Sequence, residues 1–330
     1  MSVHELRDEL QRGLSSFLWE QWAQMGLLTA SARNDRWAAD PEALLLLSFE
    51  VGREDPRLFE EVLDWMLVNE RLLSTQRLRN LARDDADRAL AGAAIGWLRE
   101  WRPKVRAPEP GRPRAGESVE PLFLGARTSV ERPDPAFLEH KLLKSWREPE
   151  RRSAQPDPAA PINLALRLRS LLGVGVRAEV VRVLLGVEAP WMSVQALAAS
   201  TAYAKRNVQE AAASLRVAGV ASSSTIGNEQ RFELPRQRWL DLLEMERAPS
   251  HVDWPQLFHA LRVLLRWLRE HDREGLSDYM LASEARRVLE AVAEDLRFAG
   301  VPVDVGGPGG AEYWPHFAAV VRAAASGNDR

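Results

Sequence analysis

The stretch Pro190 to Leu234, PWMSVQALAASTAYAKRNVQEAAASLRVAGVASSSTIGNEQRFEL, decides how this chain reads. Ser193 is a good N-cap, because its hydroxyl can accept from an exposed backbone N–H of the first turn. It opens a short helix with Val194, Leu197 and Ala198 on one face. Ser200 and Thr201 are expected to break that helix, with a second helix starting at Thr201 or Ala202. In the second helix Val208, Ala212 and Leu215 recur at helical spacing and mark a buried stripe. Gly219 stands where a left-handed C-terminal residue is wanted. Val220 to Ile226 is rich in Ser, Thr, Val and Ile, Gly227 and Asn228 form a turn, and Arg231 to Leu234 alternates like a returning strand. The reading is helix, tight turn, helix and a two-stranded wing.

That order of parts, with a second helix ending in LRVAGV and a Gly-Asn hairpin tip, resembles the winged helix-turn-helix of bacterial MarR- and ArsR-type transcription regulators. The resemblance covers about 55 of 330 residues, from Arg177 to Leu234. It implies that the second helix enters the major groove of double-stranded DNA with its N-terminal half against base edges. The outward residues of that half would be Tyr203, Lys205, Arg206, Asn207, Gln209 and Glu210, and Arg231 near the wing tip would reach a phosphate or the minor groove. Arg and Lys donate to guanine, and Asn and Gln pair with adenine. Glu210 and Glu229 depart from a strongly basic reader. The other reading of the same segment is a protein-docking module.

Charge agrees with a local interface. The whole chain carries a net charge of −3, so any attraction for nucleic acid must be confined to one face. Trp191 to Leu240 holds six basic residues against three acidic, whereas Asp241 to the end holds ten arginines against fifteen acids. There is no cysteine, which removes disulfides, thiol chemistry and cysteine zinc sites. The N-terminus, MSVHELRDELQRG, lacks the apolar core of a signal peptide, and no apolar run is long enough to span a membrane. A cytoplasmic location is expected.

The flanks read as helices, giving a mainly α fold class. Val3 to Met25 is amphipathic, with Leu6, Leu10, Leu14, Phe17, Leu18 and Trp22 on one face. Asp40-Pro41 and Asp55-Pro56 are two helix starts, an N-cap followed by proline at the first helical position. Leu73 to Ala82 is a short helix with Leu78 and Leu81 inward and Gln76, Arg77, Arg79 and Asn80 outward, and Asp85 to Trp101 is a further helix. Residues 40–101 admit two readings, a plain helical bundle and a second, degenerate helix-turn-helix. Pro103 to Pro121 and Glu148 to Pro161 are rich in proline and charge and read as linkers. Four segments are expected: an N-terminal helical domain at 1–102, a linker at 103–161 with a short helix, a winged domain at 162–247, and a C-terminal helical domain at 248–330.

Enzymatic chemistry has weak support. Gly173-Val-Gly175-Val-Arg-Ala178 matches GxGxxA, but LALRLRSLL before it has helical spacing where a dinucleotide fold needs a strand. Gly306 to Gly310 has no Lys-Ser or Lys-Thr after it to cradle a phosphate. The six histidines are scattered, so no metal site is expected, and neither catalytic residues nor a cofactor can be named. Asp84 and Asp85 are a carboxylate pair at a helix start, where negative charge is favourable anyway. Most of the twelve tryptophans lie on apolar helical faces, and Trp191 is expected under the wing. The sequence therefore points to a sequence-specific regulator of transcription, a repressor or autoregulator, acting as a homodimer. The alternative is a non-enzymatic adaptor or antitoxin-like protein of a toxin-antitoxin or phage-defence locus, docking a protein partner encoded by a neighbouring gene.

Overall fold

The computed structural model describes residues 1–27, 34–105, 118–125, 130–189, 191–227, 229–272 and 275–326, and the fold is mainly helical. Among the described residues five helices come first: α1 (Val3–Gln24), α2 (Pro41–Val51), α3 (Pro56–Val68), α4 (Thr75–Leu81) and α5 (Asp85–Trp101). Each starts on a side-chain cap. Ser2 and Glu5 form a capping box on α1, and Asp40, Asp55, Ser74 and Asp84 accept from backbone N–H groups at the starts of the other four. Strand β1 (Glu120–Pro121) pairs in parallel with β2 (Leu142–Leu143), and α6 (Pro135–Glu139) lies between them in sequence. Next come α7 (Leu164–Leu172), α8 (Val176–Gly186), β3 (Met192–Ser193), α9 (Val194–Thr201), α10 (Lys205–Val217), β4 (Ser222–Ile226), β5 (Glu229–Glu233) and α11 (Arg236–Leu242). The chain closes with α12 (Trp254–His271), α13 (Asp278–Phe298) and α14 (Tyr313–Ser326).

The described residues build two apolar cores, and their membership departs from the four-part division that the sequence suggests. Trp22 of α1, Leu45 of α2 and Trp65 of α3 share one continuous core with Phe258 and Leu265 of α12, Leu289 of α13 and Phe317 of α14. The expected N-terminal and C-terminal domains are thus one helical body. The amphipathic stripe of α12 finds its partner in α2, roughly 200 residues away in the chain, which periodicity alone cannot reveal. Leu168, Val180, Leu184, Leu197, Val208, Leu215, Phe232 and Trp239 form the second core, within residues 164–243.

Helix α2 is at the centre of the body, and every one of its residues is buried. Its run Leu44 to Leu47 is apolar on all sides, as a fully enclosed helix requires. Two acids go in with it, and each is met by arginines because a buried charge without a partner is prohibitively costly. Glu50 pairs with Arg266 (2.6 Å) and Arg269 of α12. Glu42 takes Arg169 of α7 (2.6 Å) and Arg77 of α4 (3.0 Å).

Glu42 belongs to a larger network joining the two cores. Three arginines (Arg77, Arg169, Arg182) meet three carboxylates (Asp40, Glu42, Glu179), and none of these side chains is more than 2 % exposed. Arg169 lies 2.7 Å from Glu179, Arg182 lies 2.9 Å from Glu179 and 3.2 Å from Asp40, and Arg77 also pairs with Asp40. Burial alone would pull Arg77 down, but Asp40, Glu179 and Glu42 outweigh it and hold the guanidinium well above its usual value. Burial would likewise push Glu179 up, yet Arg169, Arg77 and Arg182 hold it far below the carboxylate range. This corrects the expected outward placement of Arg77. Its side chain is turned to Asp40 and Glu42, while Gln76 and Asn80 on the same helix are exposed.

Candidate nucleic-acid interface

Residues 176–233 run helix, strand, helix, helix, hairpin. Strands β3, β5 and β4 form one antiparallel sheet in that order, with Met192 opposite Phe232, and with Ser222 opposite Glu233 through to Ile226 opposite Glu229. Gly219 and Gly227 both take positive φ, 73° and 62°, at the two turns that lead into and around the hairpin. Asn228, expected at the tip, lies outside the described residues. Strand β3 is too short to show an alternation in sequence; only its pairing with β5 defines it.

Helix α9 ends at Thr201, within the expected Ser200-Thr201 break, and the Thr201 hydroxyl donates back to the Leu197 carbonyl at 2.7 Å. The turn is made by Ala202, a left-handed residue at φ 57°, and α10 starts at Lys205 rather than at Thr201 or Ala202. A side chain in that conformation costs roughly 1–2 kcal/mol. Helix α4 holds the strained turn in place. Arg77 Nε donates to the Thr201 carbonyl at 2.8 Å, and Asn80 Nδ2 donates to the Ala202 carbonyl at 3.0 Å.

On α10 the buried stripe is Val208, Ala211, Ala212 and Leu215. Lys205, Arg206, Asn207, Gln209 and Glu210 are all exposed. Arg206 lies 2.9 Å from Glu210 one turn on, and that hydrogen bond and charge raise its pKa. Across a cleft of about 390 Å³ from Asn207 and Glu210 runs the α7–α8 turn, Gly173 to Gly175. Both of its glycines have positive φ, and the element before it is helix α7, so the GxGxxA match is a helix–helix turn.

Two residues fall elsewhere than expected. Tyr203 is only 9 % exposed, part of the second core, and its hydroxyl lies 3.0 Å from Ser74 Oγ. Burial raises its pKa. It anchors the α9–α10 turn to α4 and does not face outward with Lys205. Arg231 is in the middle of the sheet, opposite Ser193 and Ser224, and not at the hairpin tip. It pairs with Glu229 at 2.8 Å, and its guanidinium stacks 3.5 Å from the ring centre of Trp191. Trp191 itself is 38 % exposed, its ring covered by Arg231.

The sequence reading names Gln76, Arg79 and Asn80 as outward but not their adjacency to this turn: Asn80 donates to the Ala202 carbonyl, Gln76 to Asn80 and Arg79 to Gln76. The signal available was Ser74, whose capping role fixes the helix start and therefore which residues share a face.

Far from α10, the fold brings His259 beside Asp84 and Asp87, with potential ligand atoms within 4.8 Å of one another. The neighbours already neutralise this group. Arg266 lies 2.7 Å from Asp84, Arg262 lies 2.7 Å from Asp87, and His259 Nδ1 lies 2.6 Å from Asp295. Two acids already matched by arginines offer a cation little net negative charge. No helix among the described residues is long and apolar enough to cross a membrane. No protein-family model, curated protein or solved structure matches the chain.

Proposed function

We propose that this protein is a sequence-specific double-stranded DNA-binding regulator of transcription in which residues 176–233 act as a winged helix-turn-helix. One observation carries the reading: the first turns of α10 expose Lys205, Arg206, Asn207 and Gln209 together while Val208, Ala211 and Ala212 are buried behind them. These four offer the donors and acceptors that read guanine and adenine in the major groove. The hairpin beside α10 serves as the wing, and Arg231, braced by Trp191, is a rigid sheet cation within it. One such helix reads only a few base pairs, so the active form is a homodimer on a twofold site, repressing or regulating its own gene.

The test is binding of the purified protein to its own upstream region and to scrambled duplex across a salt series. Sequence preference with a steep salt dependence is expected. Arg206→Ala should cost roughly 1–3 kcal/mol at one base position, while Lys205→Ala, a phosphate contact, should weaken all sequences evenly and flatten the salt slope. Weak binding that ignores sequence, unchanged in both variants, would replace this reading with a protein-docking role for the same surface.

A further inference from the structure

We infer that α4 belongs to the same DNA-facing surface as α10, with Arg79 taking a backbone phosphate beside the groove that α10 enters. The inference rests on the DNA-binding reading above.

Three hydrogen bonds tie α4 to the turn that precedes α10. Ser74 Oγ lies 3.0 Å from the Tyr203 hydroxyl, Arg77 donates to Thr201 and Asn80 donates to Ala202. Lys205, the first residue of α10, follows Ala202 by three positions and is exposed. The polar side chains of α4 are therefore carried on the same rigid unit as the start of α10. Gln76 Nε2 donates to Asn80 Oδ1 at 3.0 Å, and Arg79 Nη2 donates to Gln76 Oε1 at 2.7 Å. A neutral relay thus runs from the Ala202 carbonyl through Asn80 and Gln76 to Arg79.

Arg79 differs from Arg77 and Arg83 in having no counter-charge among the described residues. Arg77 is matched by Asp40 and Glu42, and Arg83 lies 2.7 Å from Asp295. Among the described residues no carboxylate pairs with Arg79, and its Nε is buried without an acceptor. Partial burial lowers its pKa with no acid to hold it up. A partly buried guanidinium that is positioned by Gln76 and has no carboxylate partner is suited to an external anion. On a helix tied to the turn that leads into exposed Lys205 and Arg206, the anion of matching chemistry is a duplex phosphate.

The measurement is fluorescence anisotropy of the full chain on labelled upstream duplex and on scrambled duplex, over a salt series. Arg79→Gln should weaken binding several-fold on both duplexes and reduce the slope of log affinity against log salt by about 0.9, one phosphate contact. Arg79→Lys, which keeps the charge, should restore most of the slope, and thermal melts of both variants report whether the fold is intact. Wild-type binding matched by Arg79→Gln in affinity and slope would overturn this inference and leave the α10 reading standing. Loss in both variants alike, with lowered melting temperatures, would assign Arg79 a structural role instead. Failure of the wild type to bind either duplex would remove the DNA reading and this inference with it.

Discussion

Arg77 donates from both terminal nitrogens to both oxygens of Asp40, and neither side chain is exposed to solvent. Asp40 also caps α2 by accepting from the Ala43 N–H, and Arg77 also holds the Thr201 carbonyl. One bidentate pair thereby connects the start of the central helix to the turn before α10. Removing the arginine strands Asp40 and Glu42 as under-compensated buried charges. Arg77→Met should lower the unfolding free energy by about 3–5 kcal/mol, read from urea denaturation. Arg71→Ala, whose side chain is 92 % exposed, should change it by less than about 0.5 kcal/mol. Equal effects of the two substitutions would mean that the network contributes nothing.

Acid should act on the same network and on Asp87, which pairs with Arg262 and Arg266 of α12. Asp40, Asp87 and Glu179 have folded-state pKa values below their ordinary ones, because paired arginines outweigh the burial that would raise them. The unfolded chain therefore takes up protons first, near pH 4, and the folded chain does so only at lower pH. The stability these groups contribute is present above about pH 4 and is lost as pH falls through their folded values, at up to about 1.4 kcal/mol per pH unit for each group. Burial also lowers His140, so a shallower decline should begin near pH 6.5, where the unfolded imidazole starts to bind its proton. Urea unfolding at a series of pH values should show the shallow limb first and the steep one below pH 4. In a double variant, Asp87→Asn with Arg262→Gln, the steep limb should be less steep. A stability at pH 3 equal to that at pH 7 would contradict the account.

How much of the fold is legible in the sequence follows from the range of each interaction. The proline-marked starts of α2 and α3, the stripe Val208, Ala212 and Leu215, and the left-handed Gly219 are set by residues within a turn or two, and all are found in the fold. Arg77 and Tyr203 are not local in that sense. Both lie on the polar side of a helical or turn pattern, and each is buried by a partner far off in the sequence, Asp40 in one case and Ser74 in the other. A polar residue facing solvent and one facing a buried carboxylate give the same periodicity. The paired outward reading of Arg77 and Arg79 consequently separates into a structural arginine and one without a counter-charge.

Two glycines should respond to alanine in opposite directions. Gly13 is exposed in the middle of α1, and a Cβ there would meet nothing within 4 Å. Gly13→Ala should stabilise by about 0.5–1 kcal/mol, the ordinary gain in a helix interior. Gly92 in α5 faces the His140 ring, where a Cβ would lie 2.3 Å from Cε1. That ring is buried, so Gly92→Ala should cost about 1–3 kcal/mol by overpacking. Thermal melts of the two variants settle the pair, and a stabilising Gly92→Ala would show that α6 can shift away from α5.

Glu210 supplies the sharpest test of what the exposed face of α10 is for. Its carboxylate lies 2.9 Å from Arg206, and both side chains are well exposed, 64 % and 87 %. Exposed pairs of this kind contribute little to folding, so Glu210→Gln should leave the melting temperature nearly unchanged. Its consequence for DNA should be larger. The substitution frees Arg206 from a competing acceptor and removes a negative charge from the surface proposed to meet the phosphates, so affinity should rise several-fold and the salt dependence should steepen. In the Arg206→Ala background the part of the gain due to freeing Arg206 should vanish, leaving only the change in net charge. A surface used for docking a neutral protein partner would show no such linkage between Glu210, Arg206 and salt. Anisotropy titrations of the four proteins of this cycle, on any duplex that the wild type binds, therefore distinguish a groove-reading helix from a docking helix.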